Sequence, residues 1–458
     1  MAVLAFTIGL ALAVWSVIAL LRGSVFLSTA LFLIATTTFP AEFFAVDAVG
    51  LTWTLDRFWF LALVSQVAVR WYRGEQDISR FETTDLAIGC FLLWLIARTI
   101  TQPLGATLPG MPPTLMHFVN GYLIPFTLYF CLRTSKLDPK LLRPALLAII
   151  LLGVYLAVTA VFELLKLWGL VYPRFISDPS IGIHFGRARG PMLQSVRLGV
   201  ALLACWVPFA VYSVWLRPMS RISWATFLAG MPLACGAIFC TYTRSIWMGL
   251  AFVVGLLVLL CLNGLPRRAA LFGMFACVLV VGLVKGPDLV AFKREYSAAE
   301  TRESTYMRAA FAYVSIEMFK DRPVTGFGFN QFQVYNRPYL ADRSTNIRLE
   351  SIRGYVHHNS YLSLLVDLGI IGFTLYGLVL MCCTREAWRL WQATAVPKWV
   401  RGIGLCALAL TGVHLIQMAF HEVSFSTIEN GFLFASYGLT VAARRQFCFR
   451  ENPMSVQA

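Results

Sequence analysis

The chain of 458 residues is 58% hydrophobic and only 13% charged, with a mean hydropathy of +0.70. Soluble globular domains are about a quarter charged, so a water-soluble class is excluded. The formal net charge of +15 would suit a nucleic-acid binder, but the basic residues are distributed by membrane topology, and no nucleic-acid partner is expected.

Apolar runs of roughly 18 or more residues recur from end to end, each long enough to cross a hydrocarbon core of about 30 Å as a helix. They lack the alternation of barrel strands, so the sequence predicts an all-α polytopic membrane protein, residues 1–458 forming one integral membrane domain. Spans are expected near 4–21, 24–40, 52–70, 84–102, 114–132, 145–168, 197–216, 222–240, 245–263, 268–286, 359–382, 402–421 and 426–443, or 12–13 transmembrane helices. The first run has neither a basic leader nor a small-residue cleavage site and reads as a retained helix, not a signal peptide.

Basic residues gather in every second connector: Arg22; Arg70, Arg73 and Arg80; Arg133, Lys136, Lys140 and Arg143; Arg217 and Arg221; Arg267 and Arg268; Arg385, Arg389, Lys398 and Arg401; Arg444, Arg445 and Arg450. By the positive-inside rule these connectors are cytoplasmic. The eleven cysteines lie in or beside apolar runs or in the cytoplasmic tail, without a CxxC pattern, so no disulfide framework is predicted.

The outward connectors near 40–51 and 103–113 carry no basic residue, and two others break the topology pattern. Residues 171–196 hold Arg174, His184, Arg187 and Arg189, with Arg197 following, and residues 287–357 form a long loop with ten Lys or Arg against eight Asp or Glu. A connector that long generally has a function or is disordered. Helical spacing in YMRAAFAYVSIEMF and turn signals in PVTGFGF argue for order, and for a short amphipathic helix on the outer membrane face.

Several residues in or near these connectors are chemically suggestive. His358 lies where the loop enters a helix, in VHHNSYLSLL. Asn359 and Ser360 suit a helix cap, while His358 at the positive end of the helix dipole suits a neutral general base; His357 competes for that role. Arg244, in a tight outward turn, either snorkels to lipid phosphate or presents a rigid fork to a diphosphate. Arg308 on the loop helix, with Arg187 and Arg189, would extend that anionic site or simply be solvated. Glu163 and Lys166 are expected to pair within one span. Asp367, nine residues beyond His358, reads as structural.

No DxD and no Walker lysine occurs, and His421-Glu422 is followed by Val-Ser-Phe, so it is not the start of HExxH. A metal-bound nucleotide-sugar enzyme or an ATPase is therefore unsupported, and no metal or cofactor is expected.

TYTRSIW, then Arg308 to Met318 followed by PVTGFGFNQF, then HNSYL and a D-x-G-x-x-G helix resemble, in order and spacing, the O-antigen ligase and polymerase family. The resemblance covers roughly residues 180–440; the first 170 residues share only their membrane-spanning character. It implies a GT-C-like, metal-independent, inverting-type glycosyltransferase in the bacterial inner membrane, with its site facing the periplasm. Such an enzyme moves a glycan from undecaprenyl diphosphate to an acceptor hydroxyl, on lipid A-core for a ligase or on another glycan for a polymerase, among membrane lipids. By position, the family's base falls on His358 and its diphosphate ligands on Arg244 and Arg308. Arg187 and Arg189 carry over less directly, because RARGPMLQS departs from the family's Pro-Asn pattern. A transporter of a small anion is the alternative of another class; the charges crowd the outer face instead of mid-membrane, which favours the enzyme.

Overall fold

The computed structural model describes residues 22–48, 51–76, 81–105, 112–216, 221–290 and 298–448. The expected span at 4–21 lies outside them, as do Arg80, Arg217 and Arg450. The other twelve expected spans coincide with helices: α1 (Val25–Thr38), α2 (Leu55–Tyr72), α3 (Thr83–Ile100), α4 (Thr114–Arg133), α5 (Pro139–Leu164), α6 (Ser195–Val211), α7 (Arg221–Cys240), α8 (Arg244–Cys261), α9 (Gly264–Val290), α11 (Ser360–Gln392), α12 (Lys398–Phe420) and α13 (Thr427–Phe447). Between α9 and α11 lies α10 (Ala298–Asp321). Seven of these helices, among the described residues, are long and apolar enough to cross a membrane, so the chain is an all-α, multi-pass membrane protein. Among the described residues the strand pairing consists of one hairpin, β1 (Ala45–Ala48) with β2 (Leu51–Thr54), between α1 and α2.

The centre of the bundle is aromatic. Phe91 of α3, Tyr122 and Phe126 of α4 and Tyr376 of α11 meet with ring centroids 5.1–6.1 Å apart, and Phe434 of α13 closes on Phe126 at 4.7 Å. At the end that carries the basic connectors, Arg133 is buried against Asp85 at 2.5 Å, and the Tyr129 hydroxyl donates to the same carboxylate at 2.8 Å. Arg444 meets Glu386 there, with Arg445 3.7 Å from Glu82. Lipid offers helices little hydrophobic drive to associate, so such polar contacts and close packing hold the helices together.

The opposite end is shaped by two folded connectors. In residues 171–196 the Glu163 carboxylate does not pair with Lys166, as the three-residue spacing suggested. Helix α5 ends at Leu164 and Lys166 turns away with a φ of 56°. Glu163 instead accepts the backbone N–H groups of Arg189 and Gly190 at 3.1 and 2.8 Å.

The long loop has its own small core. Helix α10 buries Ala310, Phe311, Val314 and Met318 against Phe327, Phe332, Leu349 and Ile352. Burying a side chain of the size of Val, Phe or Met contributes about 1.5–3 kcal/mol, enough together to order the segment. The apolar face of α10, expected to lie on the membrane surface, is thus covered by the loop itself.

A break in α11 fastens this loop to the bundle. Gly369 has φ 67° and ψ −172°, and the chain 323–330 docks at the break. Phe327 and Gly328 N–H donate to the carbonyls of Val366 and Asp367 at 2.8 and 2.9 Å, and Ile370 N–H donates to Pro323 O at 2.8 Å. The Asp367 carboxylate accepts Asn330 N–H at 2.8 Å, the structural role expected of it. From α3, Arg98 and Trp94 donate to the carbonyls of Gly326 and Leu368 at 3.0 and 3.1 Å. The expected tight turn at GFGF is present, with Gly326 and Gly328 at φ 67° and 117°.

Candidate functional site

A cavity of ≈ 700 Å³ opens at the end opposite the basic connectors. Its wall combines Met116, His117 and Asn120 of α4; His184, Gln194 and Arg197 before and at the start of α6; Met307 and Arg308 of α10; Tyr355 to His358 before α11; His421, Glu422 and Phe425 between α12 and α13; and Glu429 in the first turn of α13. Five of the chain's six histidines are in this wall. The sixth, His414, lies buried in the bundle with Nε2 3.1 Å from the Tyr376 hydroxyl. The N-termini of α4, α6, α11 and α13 converge here, so their backbone dipoles add to Arg197 and Arg308 in making the mouth attractive to anions.

The two candidate histidines separate cleanly. His357 is buried, 3.8 Å from the Phe332 ring centroid, with Nδ1 3.5 Å from Ser315 Oγ. Burial, with the neighbouring His358, pushes its pKa down to about 3. His358 is exposed to the cavity, edge-on to Phe311 at 5.0 Å. Partial withdrawal from water, reinforced by the Arg308 charge, holds its pKa below the ordinary histidine value, so at neutral pH the ring is a neutral base.

Its position is set by the cap on α11. Asn359 Oδ1 accepts Leu362 N–H at 3.1 Å, while its Nδ2 donates to Ala419 O at 2.9 Å. Ser360 Oγ accepts Val423 N–H at 2.8 Å and lies 2.9 Å from His421 O. The helix-cap and cavity readings of this stretch are therefore compatible: Asn359 caps, and His358 is what the cap holds in the wall.

The arginines are used differently. Arg308 is exposed in the cavity wall. Arg244 opens α8 and does not line the cavity itself, but the next residue, Ser245, places Oγ 2.9 Å from Nε2 of His421, which does. Arg189 is wholly buried. Its guanidinium donates to the carbonyls of Ile176 and Ile181 at 2.8 and 2.6 Å, and to that of Asp178, so it clamps the 171–196 connector. Arg187 is half-buried on the same connector, outside the cavity wall.

Sequence reasoning under-ranked Arg197, His421 and Glu422 and left His117 and Glu429 unremarked. Arg197 falls at the start of an apolar span, and His421-Glu422 has no metal-motif spacing to draw the eye. Among the described residues no group of three or more His, Cys, Asp or Glu is arranged to hold a metal ion. A π-helical stretch, Val119–Leu123, also went unseen. It leaves the carbonyls of Asn120 and Gly121 to accept from Thr427 Oγ1 at 3.0 Å and Asn430 Nδ2 at 2.8 Å, pinning α4 to α13 beside the cavity.

Residues 229–377 match the O-antigen ligase family model. The matched segment runs from within α7 to the middle of α11 and takes in Arg244, Arg308 and His358, whereas Arg187, Arg189, His421 and Glu422 lie outside it. No curated protein matches the chain.

Proposed function

We propose that the chain is a ligase-like glycosyltransferase of the bacterial inner membrane, with the cavity facing the periplasm. It would transfer a glycan from undecaprenyl diphosphate to a hydroxyl of lipid A-core. The observation that carries this reading is the cavity itself, where an exposed, neutral histidine and two arginines stand together at four helix N-termini.

In the proposed reaction the acceptor oxygen attacks the anomeric carbon from the face opposite the diphosphate, inverting that centre. The bond from the anomeric carbon to the diphosphate oxygen breaks, the lipid diphosphate leaves, and His358 takes the acceptor proton. The depressed pKa keeps that base unprotonated and ready to accept a proton at neutral pH, at some cost in basicity. Arg308 and Arg197 would neutralise the charge that grows on the leaving diphosphate, with Arg244 behind the His421 wall, and this charge stabilisation is the work a metal would otherwise do. Arg187 would meet the glycan or phosphate only at the edge of the cavity, and Arg189 serves by holding the connector that carries His184 and Gln194.

The test is a lipopolysaccharide gel of a strain lacking the gene, complemented with wild type or His358→Ala. O-chains absent from the core with lipid-linked polymer accumulating, restored by wild type only, is the expected result. Core carrying a single repeat unit would assign polymerisation instead, and a ladder unaffected by deletion would remove lipopolysaccharide from the reading.

A further inference from the structure

Glu422 is a carboxylate in the cavity wall for which the proposed transfer has no use. It lies just beyond α12, next to His421, and is tied to the same anchor that positions His358. Its Oε1 accepts Ser424 N–H at 2.9 Å and lies 3.2 Å from Ser360 Oγ, two residues from His358. Its Oε2 is buried and has no hydrogen-bond partner within the protein.

A buried carboxylate oxygen without a partner is costly, and such an atom calls for an explanation such as strain, a water or a ligand; of these, a ligand is open to Glu422 because it lines the cavity. Burial raises the Glu422 pKa, while the Ser424, Ser363 and Ser360 groups around it oppose that shift. Whichever protonation state prevails, the group presents a strong hydrogen-bonding oxygen beside the cavity.

The chemistry of the surroundings selects the partner. A diphosphate is served by Arg308 and Arg197, whereas a sugar hydroxyl can donate to an ionised Oε2 or accept from a protonated one. Resting on the proposed transfer reading, we infer that Glu422 Oε2 binds a hydroxyl of the acceptor sugar and so selects the acceptor. The site thereby divides into an arginine side for the lipid diphosphate and a Glu422 side for the acceptor, with His358 between them.

The test uses the full-length protein in nanodiscs, the lipid-linked donor, and core oligosaccharide acceptors in which single hydroxyls are replaced by hydrogen. Wild type should lose about tenfold or more in kcat/KM on one deoxy acceptor, because a site built to bond a hydroxyl rejects its analogue strongly. Glu422→Gln preserves size and the Oε1 contact but puts an NH2 donor where the acceptor oxygen was. It should raise the acceptor KM by about tenfold or more, leave the donor KM within about twofold, and erase the preference among deoxy acceptors. An unchanged acceptor KM and preference, or a rise in the donor KM instead, would overturn the assignment. Uniform wild-type rates over the whole deoxy panel would overturn it even if the variant fails to fold. His358→Ala run alongside separates the two ideas: full activity in that variant sinks the transfer reading itself, whereas an inactive His358→Ala beside an unaltered Glu422→Gln sinks only the acceptor role.

Discussion

The two ends of the bundle use the same residue types for opposite purposes. At the basic end Arg133 and Arg444 are buried and their charges are met by Asp85 and Glu386, groups of the protein itself. At the other end Arg197 and Arg308 are exposed around a cavity, alongside histidine and glutamate atoms with hydrogen-bonding capacity left over. Arg189 shows that location alone does not decide the matter, since it belongs to the cavity end yet serves three backbone carbonyls. What distinguishes a site residue here is whether the fold encloses its charged end or exposes it to the cavity.

The sharpest way to break this contrast is to remove one partner at each end. Asp85→Ala would strand the Arg133 guanidinium in the bundle and should cost about 3–5 kcal/mol of stability. Thermal unfolding in detergent and the yield of folded protein would register it, and a wild-type melting curve would mean that this pair does not hold α3 to α4. His358→Ala should leave that curve in place while lowering transfer by about 10²–10⁴-fold, the usual contribution of a positioned base. A variant that loses stability and activity together would place His358 with the structural groups.

A smaller effect is expected where the loop meets the bundle. Gly369 has φ 67°, and a Cβ there would fall 2.2 Å from the Val324 carbonyl oxygen. Gly369→Ala should therefore cost about 1–3 kcal/mol in backbone strain and loosen the attachment of residues 323–330. Hydrogen exchange should rise across Phe327 to Asn330 with the basic end unchanged; protection kept throughout would show that the break in α11 does not anchor the loop.

The contrast also explains what was legible in the sequence. The twelve helices follow from apolar runs, because in lipid each span must satisfy its own backbone. His358 and Arg308 stood out because they sit in polar stretches near a helix start and on a helix of mixed composition. Glu422 did not, because its meaning depends on Ser360, 62 residues earlier in the chain. Arg189 and Arg308 look alike as letters, and only the fold shows one clamped by carbonyls. The Glu163 to Lys166 spacing suggested a pair, but the helix ended two residues short of Lys166 and the backbone of Arg189 and Gly190 took the carboxylate. Local periodicity is written in neighbouring residues, whereas the filling of a hydrogen-bonding atom is settled by segments brought together from far apart.

The finest test is the pH dependence of transfer. His358 titrates below the ordinary histidine value through partial burial and then the Arg308 charge, so the neutral ring persists into mildly acidic solution. With the neutral form as the proposed base, kcat/KM should fall as pH drops through that depressed pKa, placing the acidic limb below about 6.5, the unperturbed histidine value. Arg308→Gln removes a positive charge that disfavours the imidazolium, so the pKa should rise and the acidic limb should move to higher pH. It should not pass the unperturbed value on this account, because burial still opposes protonation. The same variant should also lose diphosphate binding, but a binding loss scales the whole profile, whereas the change in base moves its midpoint. A profile lowered without a shift would mean that Arg308 acts on the donor alone; a midpoint moving to lower pH would contradict the electrostatic coupling between the two residues.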